Sequence, residues 1–498
     1  MNIFNKLSFH GGIKPQGNKN ISTKNPIKKI FIPDMLILPL RQSVGKAPKL
    51  IVSEGDYVLK GQQLAKPSSN LSVGIHAPTS GYIKRIAMHP VPHPSMLNEE
   101  CIFLEPDHKD QWIKKKVIDY KNLKLEEVLE QLRQNGLVGM GGATFPTHIK
   151  ASSKIETLIV NAAECEPFIT CDDMALREKT EEFLTGVDIA MHILGAKKAI
   201  IGIEDNKQEA ITELQKKNQN SKIEIKIIPT VYPSGDEKRL LFLVSGLKIK
   251  KMDRPSNHGF QIFNVGTLIS IARLFIHGEP VISRVVTFTG NLKQPNNFEA
   301  LIGTPIKYFL NDCGIKEGDH QIIMGGPMMG FELQNSEITV TKSMNCVLIK
   351  RNETQSKDTS IMPCIRCSRC VEVCPAELQP QELYWFSKSK QFEKTLDYKL
   401  FDCIECGCCS YVCPSNIPLV SYYRYAKSEI RSEEISGERA DIARDRNEFR
   451  LFRLDREKTE RAERNAQRRA QIPDAEKKKL IEEKKAAIDM ALKDKEEI

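Results

Sequence analysis

"CIRCSRCVEVCP" occupies residues 364–375, and "CIECGCCSYVCP" occupies residues 403–414. The first holds Cys364, Cys367, Cys370 and Cys374 at C-x2-C-x2-C-x3-C spacing, closed by Pro375. A shift of 39 residues carries this set onto Cys403, Cys406, Cys409 and Cys413, closed by Pro414. Cys408 has no counterpart and stands outside the register. Three cysteines at intervals of three wrap a short loop around one metal group. The fourth, before a proline, sits on a segment that turns away.

This repeated spacing is that of bacterial two-cluster ferredoxins, where the fourth cysteine of each run ligates the other cluster. The pattern implies one [4Fe–4S] cluster on Cys364, Cys367, Cys370 and Cys413. It implies a second on Cys374, Cys403, Cys406 and Cys409. Structural zinc sites more often use paired knuckles with a long spacer, and here each half carries a third cysteine and a Cys-Pro end. Disulfides are disfavoured: "MNIFNKLSFHGG" (1–12) lacks the apolar core of a signal peptide, so the thiols are expected to stay reduced. Cys101, Cys313 and Cys346 are scattered and read as small buried hydrophobes.

A chain of 498 residues with 40% apolar content is long enough for several packed domains. Its net charge of +9 is a modest excess of 73 basic over 64 acidic residues. With few aromatics and no basic patch interleaved with them, no nucleic-acid partner is expected. No apolar run is long enough to span a bilayer.

The pattern along the chain is multidomain, α/β plus α+β. Residues 1–30 form a polar, glycine-containing N-terminal segment. Over 31–115, "KLIVSEGDYVLKGQQLAK" (49–66) and "VGIHAPTSGYIKRIAMH" (73–89) read as short strands joined by glycine turns. They resemble the barrel-sandwich fold of biotinyl and lipoyl domains. The hairpin that bears the modified lysine of such domains is "PSSNLSV" here, so swinging-arm chemistry is not expected. "HPVPHP" (89–94) reads as a surface loop rather than a metal site.

Residues 116–280 alternate amphipathic helices with buried strands, as in "IETLIVNAA" and "KKAIIGIED". That order argues for a Rossmann-like, mainly parallel sheet, which binds ligands at the carboxyl ends of its strands. Residues 281–350 return to short strands and glycine turns, a small β-rich module. "RNETQSKDTS" (351–360) reads as a polar linker, and the two-cluster domain takes 351–428. The tail, 429–498, is charged without a sustained apolar seam, so an exposed helix or a disordered segment is expected.

"NGLVGMGGATFPTHIK" (135–150) gathers four glycines behind a helix. Such loops let a backbone approach a phosphate. The spacing fits neither G-x-G-x-x-G nor a P-loop, and on its own it reads equally as a turn.

The loop resembles the flavin loop of the NADH- and FMN-binding subunit of respiratory complex I. "NAAECEP" (161–167), "YPSGDEKRLL" (232–241) and "FNVGTL" (263–268) match further segments of that subunit in order. The whole arrangement, with "FHGGIKP" (9–15) and "GGPMMGF" (325–331), resembles the RnfC subunit of the Rnf (Rsx) ion-translocating electron transport complex. Membership of that family implies a soluble-ligand-binding, β-grasp-like module over 281–350. It implies non-covalent FMN, NADH as substrate, two [4Fe–4S] clusters and no catalytic acid or base. It further implies a translocase-class oxidoreductase, peripheral on the cytoplasmic side of the bacterial inner membrane, with integral-membrane and iron–sulfur subunits as partners.

Carried across by position, Gly139, Gly141 and Gly142 would cradle FMN phosphate or the dinucleotide. Phe145 would stack on the dinucleotide, and Lys150 would meet a phosphate. Asn161, Tyr232, Asp236 and Asn264 would contact FMN, while Glu166 and Glu237 would contact the dinucleotide. Ala163 and Asp236 depart from the family's acidic pattern. The rival expectations are a soluble flavin/iron–sulfur dehydrogenase and a redox-sensing iron–sulfur scaffold.

Overall fold

The computed structural model describes residues 7–29, 32–95, 97–250, 253–352, 360–470 and 473–496. The linker read over 351–360 lies largely outside them, as do the first residues of the N-terminal segment.

The central element is a four-stranded, fully parallel sheet in the order Ile223–Ile228, Lys198–Glu204, Thr157–Ala162, Phe260–Asn264. Its middle strands are nearly continuous apolar runs because helices cover both faces. Helices Thr180–Leu194 and Val265–His277 pack together on one face. Gly186 permits this, since a Cβ there would meet the Leu268 carbonyl oxygen at 2.0 Å. The strand order reverses between Thr157–Ala162 and Phe260–Asn264. At that switch point Asn161 and Asn264 face each other in register.

Two small antiparallel sheets form the N-terminal barrel-sandwich: Leu36–Pro39, Asn98–Pro106, Gly81–Pro90 and Tyr57–Val58 in one, Lys49–Leu50, Gln63–Lys66 and Ile75–His76 in the other. The hairpin between its halves is docked rather than free. Arg133 on helix Leu125–Gln134 donates to the Ser69 carbonyl at 3.1 Å, and Gly74 N donates to the Arg133 carbonyl at 3.0 Å. His148 and the Asn70 carbonyl lie 2.9 Å apart.

A six-stranded mixed sheet follows, built on Ser283–Gly290, Asn296–Leu301, His320–Met324, Phe331–Leu333 and Cys346–Arg351. Its core stacks Phe288 on Phe309 with ring centroids 4.5 Å apart. Its edge strand, Lys28–Lys29, comes from the N-terminal segment and pairs parallel to Asn296–Leu301.

One ammonium joins these three parts. Lys342, fully buried, donates to the Gly74 carbonyl at 3.1 Å and the Gly136 carbonyl at 2.7 Å. Burial lowers its pKa to about 7.

Residues 425–498 form a separate unit. Its described residues, Pro473 apart, lie in helix Leu419–Ala470 and helix Asp474–Glu496. Side chains are exposed throughout 431–468, laced by i,i+4 pairs such as Arg453–Glu457. The tail is thus the exposed helix of the two expectations. Among the described residues, no helix is long and apolar enough to cross a membrane.

Candidate cofactor sites

A cavity of about 770 Å3 opens at the carboxyl edge of the parallel sheet, at its switch point. Every expected FMN or dinucleotide contact lies in its wall: Gly139, Gly141, Gly142, Phe145, Lys150, Asn161, Glu166, Tyr232, Asp236, Glu237 and Asn264. These residues come from four loops far apart in sequence, brought together because each loop follows or precedes a strand of one sheet.

Several of their polar atoms already have protein partners. Asn161 donates to the Gly235 carbonyl at 2.9 Å and accepts from Ala163 N at 3.2 Å. Asn264 caps helix Val265–His277 by accepting from Gly266 N at 2.9 Å, and it donates to Asp172 at 2.6 Å. Asp236 caps helix Glu237–Ser245, accepting from Lys238 N at 3.2 Å and from the Arg239 guanidinium at 2.9 Å. Lys150 donates to the Ile262 carbonyl at 3.2 Å and pairs with Glu237 at 3.3 Å. These side chains hold the loops, and two helix N-termini with their positive dipole ends meet the cavity.

Glu166 is braced by the loop "GGPMMG", accepting from Met328 N at 2.7 Å and Met329 N at 3.1 Å. A Cβ on Gly326 would meet the Glu166 side chain at 2.2 Å, so glycine is required there. Burial raises the Glu166 carboxyl above the usual carboxylate range, against the pull of those two donors. Asp172, also in the wall, is pushed up to about 7 by burial and by the neighbouring Glu164.

The cavity suits a flat, phosphate-bearing cofactor. Gly142 has φ +119°, and a Cβ there would meet nothing within 4 Å, so this backbone opens onto free space. Thr147 presents a buried hydroxyl without a partner in the same wall.

Two small enclosed pockets lie beyond it. Cys364, Cys367, Cys370 and Cys413 line one, while Cys374, Cys403, Cys406 and Cys409 line the other. Each run thus lends its fourth cysteine to its neighbour's pocket. Four thiols around an enclosed space match the donor set of a cubane cluster. Leu378 N is 3.4 Å from the Cys374 sulfur, and Glu405 N is 3.4 Å from the Cys403 sulfur. Cys408 also borders the second pocket, but it packs with Ile13, Tyr232 and Cys406 in an apolar cluster and is 1% exposed.

Cavity and second pocket share Ile404 and Cys406 as a common wall. Tyr232 donates to the Cys406 carbonyl at 2.6 Å, and Arg239 links Asp236 to the Pro375 carbonyl. Cys101, Cys313 and Cys346 are buried in cores. His93 lines the cavity mouth, and its ring nitrogen is bonded to Ser95 at 2.5 Å.

Sequence reasoning missed the N-terminal contribution. Lys19 donates to the carbonyls of Glu164 (2.6 Å), Glu166 (3.0 Å) and Ile169 (2.6 Å), clamping the "NAAECEP" loop. Gly11 and Gly12, both at positive φ, let the same segment pass between Val373 and Tyr232. "FHGGIKP" was the available signal, and its role is this close passage.

Family models match three stretches: the RnfC barrel sandwich hybrid domain over 7–109, the Nuo51 FMN-binding domain over 132–273, and a 4Fe-4S dicluster domain over 363–417. In class, then, this is a flavin- and iron–sulfur-binding electron-transfer protein, with FMN and 4Fe–4S clusters as its cofactors. Over 464 residues it is 48% identical to the C subunit of the ion-translocating oxidoreductase complex of Vibrio cholerae, covering 92% of this chain and 60% of that one. The protein of the same name from Edwardsiella ictaluri is 43% identical over 480 residues, covering 95% and 60%. The chain is similar to these C subunits over nearly all of its own length and spans about 60% of theirs. A structural likeness to an NAD+-reducing [NiFe]-hydrogenase, at TM-score 0.44 and 19% identity over 55% of this chain and 54% of that one, is too loose to argue from.

Proposed function

We propose that the chain is the electron-entry part of a peripheral subunit in a membrane-bound, ion-translocating oxidoreductase. It exchanges electrons with NADH at FMN and relays them through two [4Fe–4S] clusters to integral-membrane and iron–sulfur partners. The observation that carries this reading is the shared wall: Cys406 borders both the glycine-lined cavity and a four-cysteine pocket. Two redox groups so placed would be separated by little more than one residue.

Bound FMN supplies the conversion between two-electron hydride chemistry and one-electron cluster chemistry. The chain's own residues bind and orient. Gly139, Gly141 and Gly142 leave room for phosphate, Phe145 offers a ring face to the dinucleotide, and Lys150 offers a cation. Asn161, Tyr232, Asp236 and Asn264 hold the loops around the flavin, while Glu166 and Glu237 face the dinucleotide. No side chain is assigned an acid or base role. Cluster ligands follow the two pockets: Cys364, Cys367, Cys370 and Cys413, then Cys374, Cys403, Cys406 and Cys409.

In this reading the domains run 31–115, 116–280, 281–350 and 351–428, with the third a β-grasp-like module and 429–498 a tail. The subunit sits at the cytoplasmic face of a bacterial inner membrane.

The test is anaerobic purification of the chain, with flavin and iron assays and NADH–ferricyanide reductase activity. One FMN, about eight irons and NADH-dependent reduction are expected. Iron without flavin would leave only a cluster scaffold. Membrane retention should require co-expressed partners, and retention of the chain by itself would overturn the peripheral assignment.

A further inference from the structure

We propose that the mouth of the flavin cavity is a subsite for the adenosine diphosphate half of the dinucleotide, built by the barrel-sandwich domain with Arg41 as its anion anchor. This rests on the NADH reading above. It gives the barrel-sandwich domain a part in substrate binding.

The argument begins with space. A cavity of about 770 Å3 lies within the range that one cofactor-sized ligand fills. Its inner end is closed by Tyr232, Ile404 and Cys406. A nicotinamide ring must lie against the flavin for hydride transfer, so the remote half of the dinucleotide has to extend away from that closed end. A second cavity, about 310 Å3, adjoins the first and shares Pro92, His93, Thr144 and Ser343 with it. These four residues form a common rim between the two. The extension lies against the strand end and loop of the barrel-sandwich on one side and Thr341–Ser343 on the other.

Its chemistry suits an anionic diphosphate. Arg41 lines it with a half-exposed guanidinium, whose ion pair with Glu99 is loose at 3.7 Å. A planar fork of N–H donors matches phosphate oxygens better than a carboxylate held beyond hydrogen-bond distance. The Thr341 and Ser343 hydroxyls are hydrogen-bonded to each other at 3.0 Å in the same wall, which leaves one O–H of the pair to donate to a ligand. His93, between Pro92 and Pro94, also lines this extension and offers a ring beside apolar surface, as an adenine base requires.

The test uses the full chain loaded with FMN and clusters, and compares NADH with reduced nicotinamide mononucleotide, which lacks the adenosine half. Arg41→Ala and Arg41→Glu should raise the KM for NADH about tenfold or more, and Arg41→Lys should recover part of it. The ratio of KM for NADH to KM for the mononucleotide should rise with it. Independently, calorimetric binding of ADP-ribose to the flavin-free chain should be lost in Arg41→Glu. Flavin and iron content serve as the folding control. Equal KM shifts for both donors, or unchanged ADP-ribose binding, would overturn the subsite while leaving the NADH reading intact. Absence of NADH oxidation in the unaltered chain would instead overturn that reading.

Discussion

Tyr232 reaches across a domain boundary to Cys406: its hydroxyl donates to the Cys406 backbone carbonyl at 2.6 Å, and both residues are nearly or fully buried. Tyr232 is on the flavin-cavity side and Cys406 is in the cluster loop, so this bond spans the shared wall.

Tyr232→Phe keeps the ring and removes the donor. A typical hydrogen bond contributes about 1 kcal/mol, which corresponds to tens of millivolts for a one-electron couple. The cluster on Cys374, Cys403, Cys406 and Cys409 should become harder to reduce by up to that amount, set by how much more strongly the bond favours the reduced cluster, and the other cluster should not move. A redox titration followed by electron paramagnetic resonance reads both. Equal shifts in the two clusters would contradict a local effect.

Cys408→Ser and Cys409→Ser separate register from proximity. Both residues border the same pocket. Only Cys409 keeps the spacing of the first run. The serine at 408 should retain about eight irons per chain, whereas the serine at 409 should lose one cluster's spectrum. The reverse outcome would exchange their roles.

Lys19→Met should loosen the loop that carries Glu166. Three carbonyls lose a charged donor, a destabilisation on the order of 3 kcal/mol. Thermal unfolding should shift down, and flavin should dissociate more readily on gel filtration. Unaltered flavin retention would show that the loop is held without the lysine.

Lys342 sets a pH dependence with a definite sign. Its folded pKa of about 7 lies below the ordinary 10.5. Between those values the unfolded chain binds a proton that the folded chain does not, so this residue makes stability rise with pH from about 7 towards 10.5. The gain should be on the order of a few kcal/mol. Urea unfolding at pH 7 and pH 9.5 should show it in the native chain and not in Lys342→Met. Parallel behaviour of the two would mean that the ammonium is charged where it lies.

Much of the site was legible because its signals are local. Cysteine spacing fixes which thiols share a pocket, and the resemblance of three separate stretches to a flavin-binding family picks out Asn161, Tyr232 and Asn264, which the fold brings to one sheet edge. Lys19 was not legible: its partners lie about 150 residues away, and nothing in a polar N-terminal segment marks a half-buried ammonium that clamps a distant loop. The same holds for Lys342 and for the Met328–Met329 brace on Glu166. The "HPVPHP" stretch reads as a surface loop. His93 is exposed as that reading requires, but His89 and Pro90 end strand Gly81–Pro90, with the His89 ring against Phe103, and Val91 is buried; the rest forms a cavity rim, which no periodicity would reveal. Two of the expected flavin contacts, Asp236 and Asn264, are helix caps as well, because Asp and Asn satisfy free N–H groups wherever a helix begins at a sheet edge.

The docked hairpin of the barrel-sandwich has a further consequence. In carrier domains of this shape the equivalent hairpin is a moving hand that presents its cargo to distant partners. Here Arg133 and His148 grip it at Ser69 and Asn70, and Lys342 pins the glycine that follows. A shuttle so fastened can no longer travel. It has become fixed masonry, and whatever it contributes must be done by standing still.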